Sequence, residues 1–268
     1  MPSAASPAAA AGAAPADALR VENLSIAFGG VKAIQDLSFD VHAGTVHAII
    51  GPNGAGKTTL INLITGIYKP AGGRIAMFGQ DVGGIPPEQL AKLGLSRTFQ
   101  NLQVCMNMSA VDNVMIGAHL SLGSSLLRGM FRPPALRRAD QACRARAHEL
   151  MAFVGVGAYA NADANQLSYG ALKRLEIARA LAASPRVLLM DEPAAGLNHT
   201  ETAEIEVLIR RIAESGTTVV IVEHDMKLVM GVSDRILALH YGRRLALGST
   251  AEVRNNPEVI AAYLGAEA

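Results

Sequence analysis

Residues 167–193 read LSYGALKRLEIARALAASPRVLLMDEP. A Ser-Tyr-Gly turn, an amphipathic helix and an apolar strand ending in Asp191 and Glu192 follow one another without a gap. The strand, 187–190, is short and uninterrupted, as expected for a strand covered on both faces in a parallel sheet. Two more stretches have this form. Residues 45–50 run straight into GPNGAGKTT (51–59), a glycine loop followed by a helix over 57–65 with Gly66 as its stop. Residues 217–222 end in Glu223 and His224. Helix-like segments, 200–214 and 225–231, follow the second and third strands. Strands alternating with helices predict an α/β sheet whose ligands collect at the carboxyl ends of the strands, where all three place polar groups.

Working outward, Leu19 and Val21, then Leu24, Ile26 and Phe28, alternate with period two, as do Leu37, Phe39 and Val41. They predict two half-buried strands in an antiparallel edge sheet. Residues 87–93 read as a short helix closed by Gly94, and Ser109 with Asp112 as a capping box. From about 104 to 183 no strand pattern emerges, which predicts an inserted helical subdomain. Within it Arg128, Arg132, Arg137, Arg138, Arg144 and Arg146 have only Asp140 as a nearby acid. They read as a solvated face or as a surface near anionic headgroups or permease loops. Residues 1–18 are Ala/Pro-rich with neither the basic start nor the bulky apolar middle of a secretory signal, and read as a disordered tail before a domain spanning 19–268.

Composition narrows the function. The chain has 268 residues, enough for a large core. Its longest apolar runs are far short of the roughly 20 residues that span a bilayer. Lys and Arg total 24 against 23 for Asp and Glu, so the charge balance argues against nucleic acid as a partner. Cys105 and Cys143 have no metal-ligand spacing and read as reduced thiols of a cytosolic protein.

The glycine loop carries the chemistry. Gly51, Gly54 and Gly56 allow a tight turn whose N–H groups face phosphate oxygens, with the following helix adding its positive end. Lys57 supplies a charge at the β and γ phosphates of a nucleotide, and the Thr58 hydroxyl is a ligand for Mg²⁺. Such a loop is shared by kinases, GTPases and motors. Asp191, at a strand end, is placed to reach Mg²⁺ through water. Glu192, one residue on, is placed to polarise an attacking water as general base. His224 is placed to donate to the γ phosphate.

With these motifs in this order, the chain resembles the ATP-binding subunits of ATP-binding cassette (ABC) transporters over residues 19–265. The resemblance implies a P-loop NTPase core with an antiparallel edge subdomain and an inserted helical subdomain. It makes Gly51, Pro52, Asn53, Gly54, Ala55, Gly56, Lys57, Thr58 and Thr59 the phosphate loop and Phe28 the ring that stacks on adenine. Gln100, in SRTFQ, becomes the glutamine that contacts Mg²⁺ or water and reports γ-phosphate occupancy. Residues 167–170 become the signature, in which Ser168 and Gly170 bind ATP held by an opposite subunit, and 195–198 the D-loop. Two positions depart from the usual Leu-Ser-Gly-Gly-Gln: Tyr169 replaces the first glycine and Ala171 the glutamine, which puts one polar contact to nucleotide in doubt.

Further stretches, GVKAIQDLSFDV, SRTFQNLQVCMNMSAVDNVMIGAHL, DEPAAGLN, VEHDMKLVM and RNNPEVIAAYLG, resemble the branched-chain amino-acid importer branch. That branch implies a peripheral ATPase on the cytoplasmic face of the inner membrane, two permease subunits, a second ATPase subunit and, indirectly, a periplasmic binding protein. The alternatives are related uptake systems for urea, amides or aromatic acids, lipopolysaccharide export, and a soluble ABC ATPase acting on nucleic acid or ribosomes. The last usually carries two cassettes or a long coiled-coil insertion, and this chain has neither.

Overall fold

The computed structural model describes residues 17–118 and 134–264, with side chains from 138 in the second stretch and to 263 at its end. Arg128, Arg132 and the Arg137 side chain therefore lie outside the described residues, as does the tail up to residue 16.

The first sheet contains β1 (Asp17–Phe28), β2 (Val31–His42), β4 (Gly72–Met77) and β5 (Gln80–Asp81) in the antiparallel order β2-β1-β4-β5. Strand β1 starts at Asp17, so Asp17 and Ala18 are strand residues and not part of the tail. The alternation in β1 changes phase between Val21 and Leu24, although all four of Leu19, Val21, Leu24 and Ile26 are buried. The cause is a bulge: Asn23 takes φ 49°, the pairing register shifts there, and its N–H bonds Ser38 Oγ at 2.8 Å. Asp36, with φ 48°, does the same in β2, its N–H bonding Ser25 Oγ at 3.0 Å.

The second sheet has the order β10-β9-β3-β8-β7-β6. Its strands are β3 (Val46–Ile50), β6 (Leu95–Arg97), β7 (Val187–Asp191), β8 (Thr218–Val222), β9 (Arg235–His240) and β10 (Arg243–Gly248). All pairs are parallel except β9 with β10. Strands β3, β7 and β8 are buried throughout, and alternate residues serve two cores. Val46, Ala48, Ile50, Leu188 and Met190 pack toward the helices, whereas Ile49, Val187, Leu189 and Val220 pack toward the antiparallel sheet.

Helices α1 (Lys57–Ile64) and α2 (Pro87–Lys92) come before β6. Between β6 and β7 lie α3 (Ala110–Gly117), α4 (Pro134–Phe153) and α5 (Tyr169–Leu181), with no strand among the described residues of that segment. Ser109 caps α3 by accepting the Asp112 N–H at 3.2 Å. The reading of the arginines needs correction, because two of them find acids: Arg144 pairs with Asp112 at 2.8 Å and Arg146 with Glu149 at 3.0 Å. These pairs are half-exposed, as on a solvated face. Helices α6 (His199–Glu214) and α7 (Met226–Val232) cover the sheet after β7 and β8, and α8 (Thr250–Arg254) and α9 (Pro257–Leu264) end the fold. Cys105 and Cys143 are free thiols, and among the described residues no helix is long and apolar enough to cross a membrane.

Helices α3 and α5 touch backbone to backbone at Gly117, where a Cβ would run into the Arg179 carbonyl. Gly117→Ala must push the helices apart, at the ~1–3 kcal/mol typical of overpacking. The expected loss of melting temperature is roughly 3–10 °C, and an unchanged melting temperature would show that α3 slides freely on α5.

Candidate nucleotide-binding site

Parallel pairing aligns the strand ends. Ile49 of β3 and Asp191 of β7 both stand level with Val222 of β8, so the glycine loop, the paired acids and His224 emerge side by side. Between them lies a cavity of about 530 Å³ lined by Asn53, Gly54, Ala55, Gly56, Lys57, Thr58, Thr59, Gln100, Asp191 and Glu192. Val31, Lys32, Ala33, Gln35, Val222 and Tyr241 complete its wall.

The loop is held from both sides. Gly56 sits at φ 100°, and a Cβ on it would come 2.8 Å from the Ala33 carbonyl, so only glycine lets β2 close over the loop. The Lys57 ammonium donates to the carbonyls of Gly51 and Pro52 at 2.6 and 3.1 Å. Burial lowers its pKa, while Glu192 and Asp191 oppose that shift. Pro52 also lines a second cavity, about 310 Å³, shared with Ala261 and Ala262 of α9.

Asp191 Oδ2 is paired with Arg97 Nη2 at 2.7 Å, and Arg97 Nη1 donates to Asn62 Oδ1 at 2.7 Å. Glu192 takes φ 49°, a left-handed conformation that costs a non-glycine residue energy and clusters at functional positions. That turn brings Glu192 Oε2 to Gln100 Nε2 at 2.8 Å and Oε1 to His224 Nδ1 at 3.8 Å. His224 is otherwise exposed. The structure thus gathers Lys57, Thr58, Gln100, Asp191, Glu192 and His224 at one place.

Phe28, Ser168 and Gly170 do not line this cavity. Phe28 does not complete the buried stripe of Leu24 and Ile26; the residue is 44% exposed and its ring meets Tyr68 edge-on at 5.1 Å. Ser168 caps α5, its hydroxyl accepting the Ala171 N–H at 3.3 Å. Gly170 abuts the Glu201 side chain at the start of α6. Tyr169, which stands where the usual signature has glycine and which points to the importer branch, is 45% exposed and lies against Gly196 of the turn after Glu192.

Arg97 and Glu223 were not anticipated as site residues. Glu223 is 1% exposed, and its two oxygens accept the N–H groups of Ala194 at 2.9 Å and His224 at 3.1 Å. It ties the loop after Glu192 to the loop bearing the histidine. An acid following an apolar strand was the visible signal for Glu223, and a lone arginine three residues before Gln100 the signal for Arg97.

Residues 34–195 match the ABC transporter family, and residues 243–268 match the branched-chain amino acid ATP-binding cassette transporter family. The high-affinity branched-chain amino acid transport ATP-binding protein LivG of Salmonella typhimurium is 43% identical over 248 residues, 92% of this chain and 97% of that one. The corresponding protein BraF of Pseudomonas aeruginosa gives the same 43% over 92% of this chain and 97% of its own. Among solved structures, the ADP conformation of an ATP-binding cassette of an ABC transporter superposes with a TM-score of 0.81 at 32% identity, covering 93% of this chain and 99% of that one. The chain belongs to the ABC transporter family. Within it, this is an ATP-binding cassette, an ATPase with the P-loop α/β fold and its antiparallel subdomain.

Burial raises the Glu223 carboxyl above its ordinary value of 4.5, against the backbone N–H bonds that lower it. The folded chain therefore binds this proton more tightly than the unfolded one. The stability this adds is fully present below the unfolded value and is lost as pH rises through the folded value. The melting temperature of the wild type minus that of Glu223→Gln should accordingly fall over the interval in which pH rises above 4.5. A rise over that interval would mean that the N–H bonds outweigh burial.

Proposed function

We propose that this chain is the ATP-hydrolysing subunit of an importer of branched-chain amino acids. It works at the cytoplasmic face of the inner membrane against two permease subunits, paired with a second ATPase subunit, and a periplasmic binding protein acts on it only indirectly. The observation that carries the reading is the Glu192 carboxylate, bonded to Gln100 at 2.8 Å and set beside His224 in the cavity of the Lys57 loop. The relatives named for branched-chain amino-acid transport, similar over 92% of the chain, and the match of residues 243–268 support the choice of solute.

The site residues divide the work. Backbone N–H groups of residues 51–59 and the Lys57 ammonium bind the phosphates. Thr58, Asp191 and Gln100 fit Mg²⁺, since each offers the hard oxygen that this ion takes and all three line one cavity, Asp191 reaching the ion through water. When bound, Mg²⁺ neutralises phosphate charge. Glu192 accepts the proton of the attacking water, and His224 donates to the γ phosphate. Phe28, exposed at the end of β1, offers its face to adenine after a swing of the ring from Tyr68. Ser168 and Gly170, away from this cavity, serve the nucleotide of the second subunit.

Phe99, the chain neighbour of Gln100, walls an apolar groove of about 400 Å³ together with Ile67, Leu90 and Ile116. We place the permease loops there, next to the side chain that senses Glu192. In vesicles reconstituted with permeases and binding protein, leucine, isoleucine or valine should stimulate ATP hydrolysis severalfold. Gln100→Ala should abolish most of that stimulation and lower nucleotide affinity much less, because Lys57 and the loop N–H groups still hold the phosphates. Stimulation by an aromatic acid, an amide or urea in place of these solutes would overturn the choice of solute. Unchanged stimulation in Gln100→Ala would remove it from the coupling route.

A further inference from the structure

Lys173, Glu176 and Arg179 recur every three residues along α5, a spacing that lines them on one side of the helix. Lys173 and Glu176 are 3% and 2% exposed, and buried charges persist only where they find partners. All three find them on the backbone of one segment. Lys173 Nζ donates to the Gln100 carbonyl at 3.0 Å, Glu176 Oε1 accepts the Gln103 N–H at 3.3 Å, and Arg179 Nη1 donates to the Gln103 carbonyl. Glu176 and Arg179 complete each other, Nη2 lying 3.9 Å from Oε1. Lys173 also stands 5.8 Å from the centre of the Tyr169 ring, which rests on Gly196. None of the three lines the nucleotide cavity.

We infer that Lys173, Glu176 and Arg179 are positioning residues that clamp the backbone of residues 100–103 to α5, so that Gln100 and the Ser168 turn move as one body. The side chain of Gln100 holds Glu192, and its carbonyl holds Lys173, five residues along the chain from Ser168. Whatever moves Gln100 at the hydrolysis site therefore turns the helix whose first residues face the second subunit. The burial that raises the Glu176 carboxyl is opposed by the Gln103 N–H, Arg179 and Lys173, the same contacts that form the clamp. The inference rests on the reading of Gln100 and Glu192 given above and adds the route from them to the signature turn.

A double-mutant cycle on the full chain tests it, with turnover at saturating Mg-ATP measured for Lys173→Met, Gln100→Ala and both together. Lys173→Met should lower turnover about tenfold, as expected for a lost charged hydrogen bond, with affinity for a non-hydrolysable ATP analogue within about twofold. In the Gln100→Ala background the same change should cost less than about twofold, and Lys173→Arg should restore most of the activity. Equal losses in both backgrounds would overturn the clamp. Hydrogen exchange gives a reading that needs no catalysis: amides 100–103 should exchange about tenfold faster in Lys173→Met while those of α1 stay unchanged. Unaltered exchange at 100–103 would overturn the clamp. Should Lys173→Met fail to fold, Glu176→Gln, which keeps the acceptor for Gln103 but removes the charge, should show the same acceleration to a smaller degree, and its absence would overturn the clamp equally. A wild type that hydrolyses no ATP would sink the reading of Glu192, and the exchange measurement would still decide the clamp.

Discussion

The register of the parallel strands β3, β8 and β7 is the constraint on which the site depends. Asp191 pairs with Val222, and Val222 stands opposite Ile49, so the chain leaves all three strands at one level. The glycine loop, the two acids and the histidine are remote in sequence and meet only because of that level. A shift of one residue in any of these strands would turn its side chains to the opposite core. Both cores resist this, because the strands are apolar on each face and packed on each side. The buried sheet fixes the site as a mason's line fixes a course.

Around that line the polar groups hold one another. Arg97 takes one oxygen of Asp191, Gln100 takes one of Glu192, and Glu223 binds the loops that carry Ala194 and His224. Arg97, Asp191 and Glu223 are charged groups largely withdrawn from water, where a lost partner costs more than on the surface. The left-handed turn at Glu192 is part of the same arrangement, since it swings the carboxylate toward Gln100 and away from the axis of β7. Geometry at the reacting end is thus set by neighbours at and just beyond the ends of β6, β7 and β8 rather than by the loop alone.

Much of this was legible in the sequence where the signal was local. Continuous apolar runs announced β3, β7 and β8 because those strands are buried on both faces, and the phosphate loop announced itself by glycine spacing. Strands β4, β5, β6, β9 and β10 were not read from the sequence. Strand β6 is three residues long, β4 carries two glycines and exposed residues at its start, and β9 and β10 mix arginines with apolar residues. The bulges at Asn23 and Asp36 were visible only as a change of phase. Arg97 and Glu223 escaped because their partners, Asp191 and the Ala194 N–H, lie 94 and 29 residues away. The acids that pair with Arg144 and Arg146 were missed for a related reason: Asp112 faces α4 across an interhelical contact, and Glu149 lies one turn further along.

The central claim is that the strand-end cavity hydrolyses ATP with Glu192 as the base. Its most direct test compares Glu192→Gln with the wild type for binding of Mg-ATP and for release of phosphate in a single turnover. The amide keeps the size of the side chain and leaves the phosphate loop intact, but it is a poor proton acceptor. The account predicts binding within about twofold of wild type together with a loss of turnover of at least about a hundredfold. Wild-type turnover in Glu192→Gln would contradict it and place the base elsewhere in the cavity.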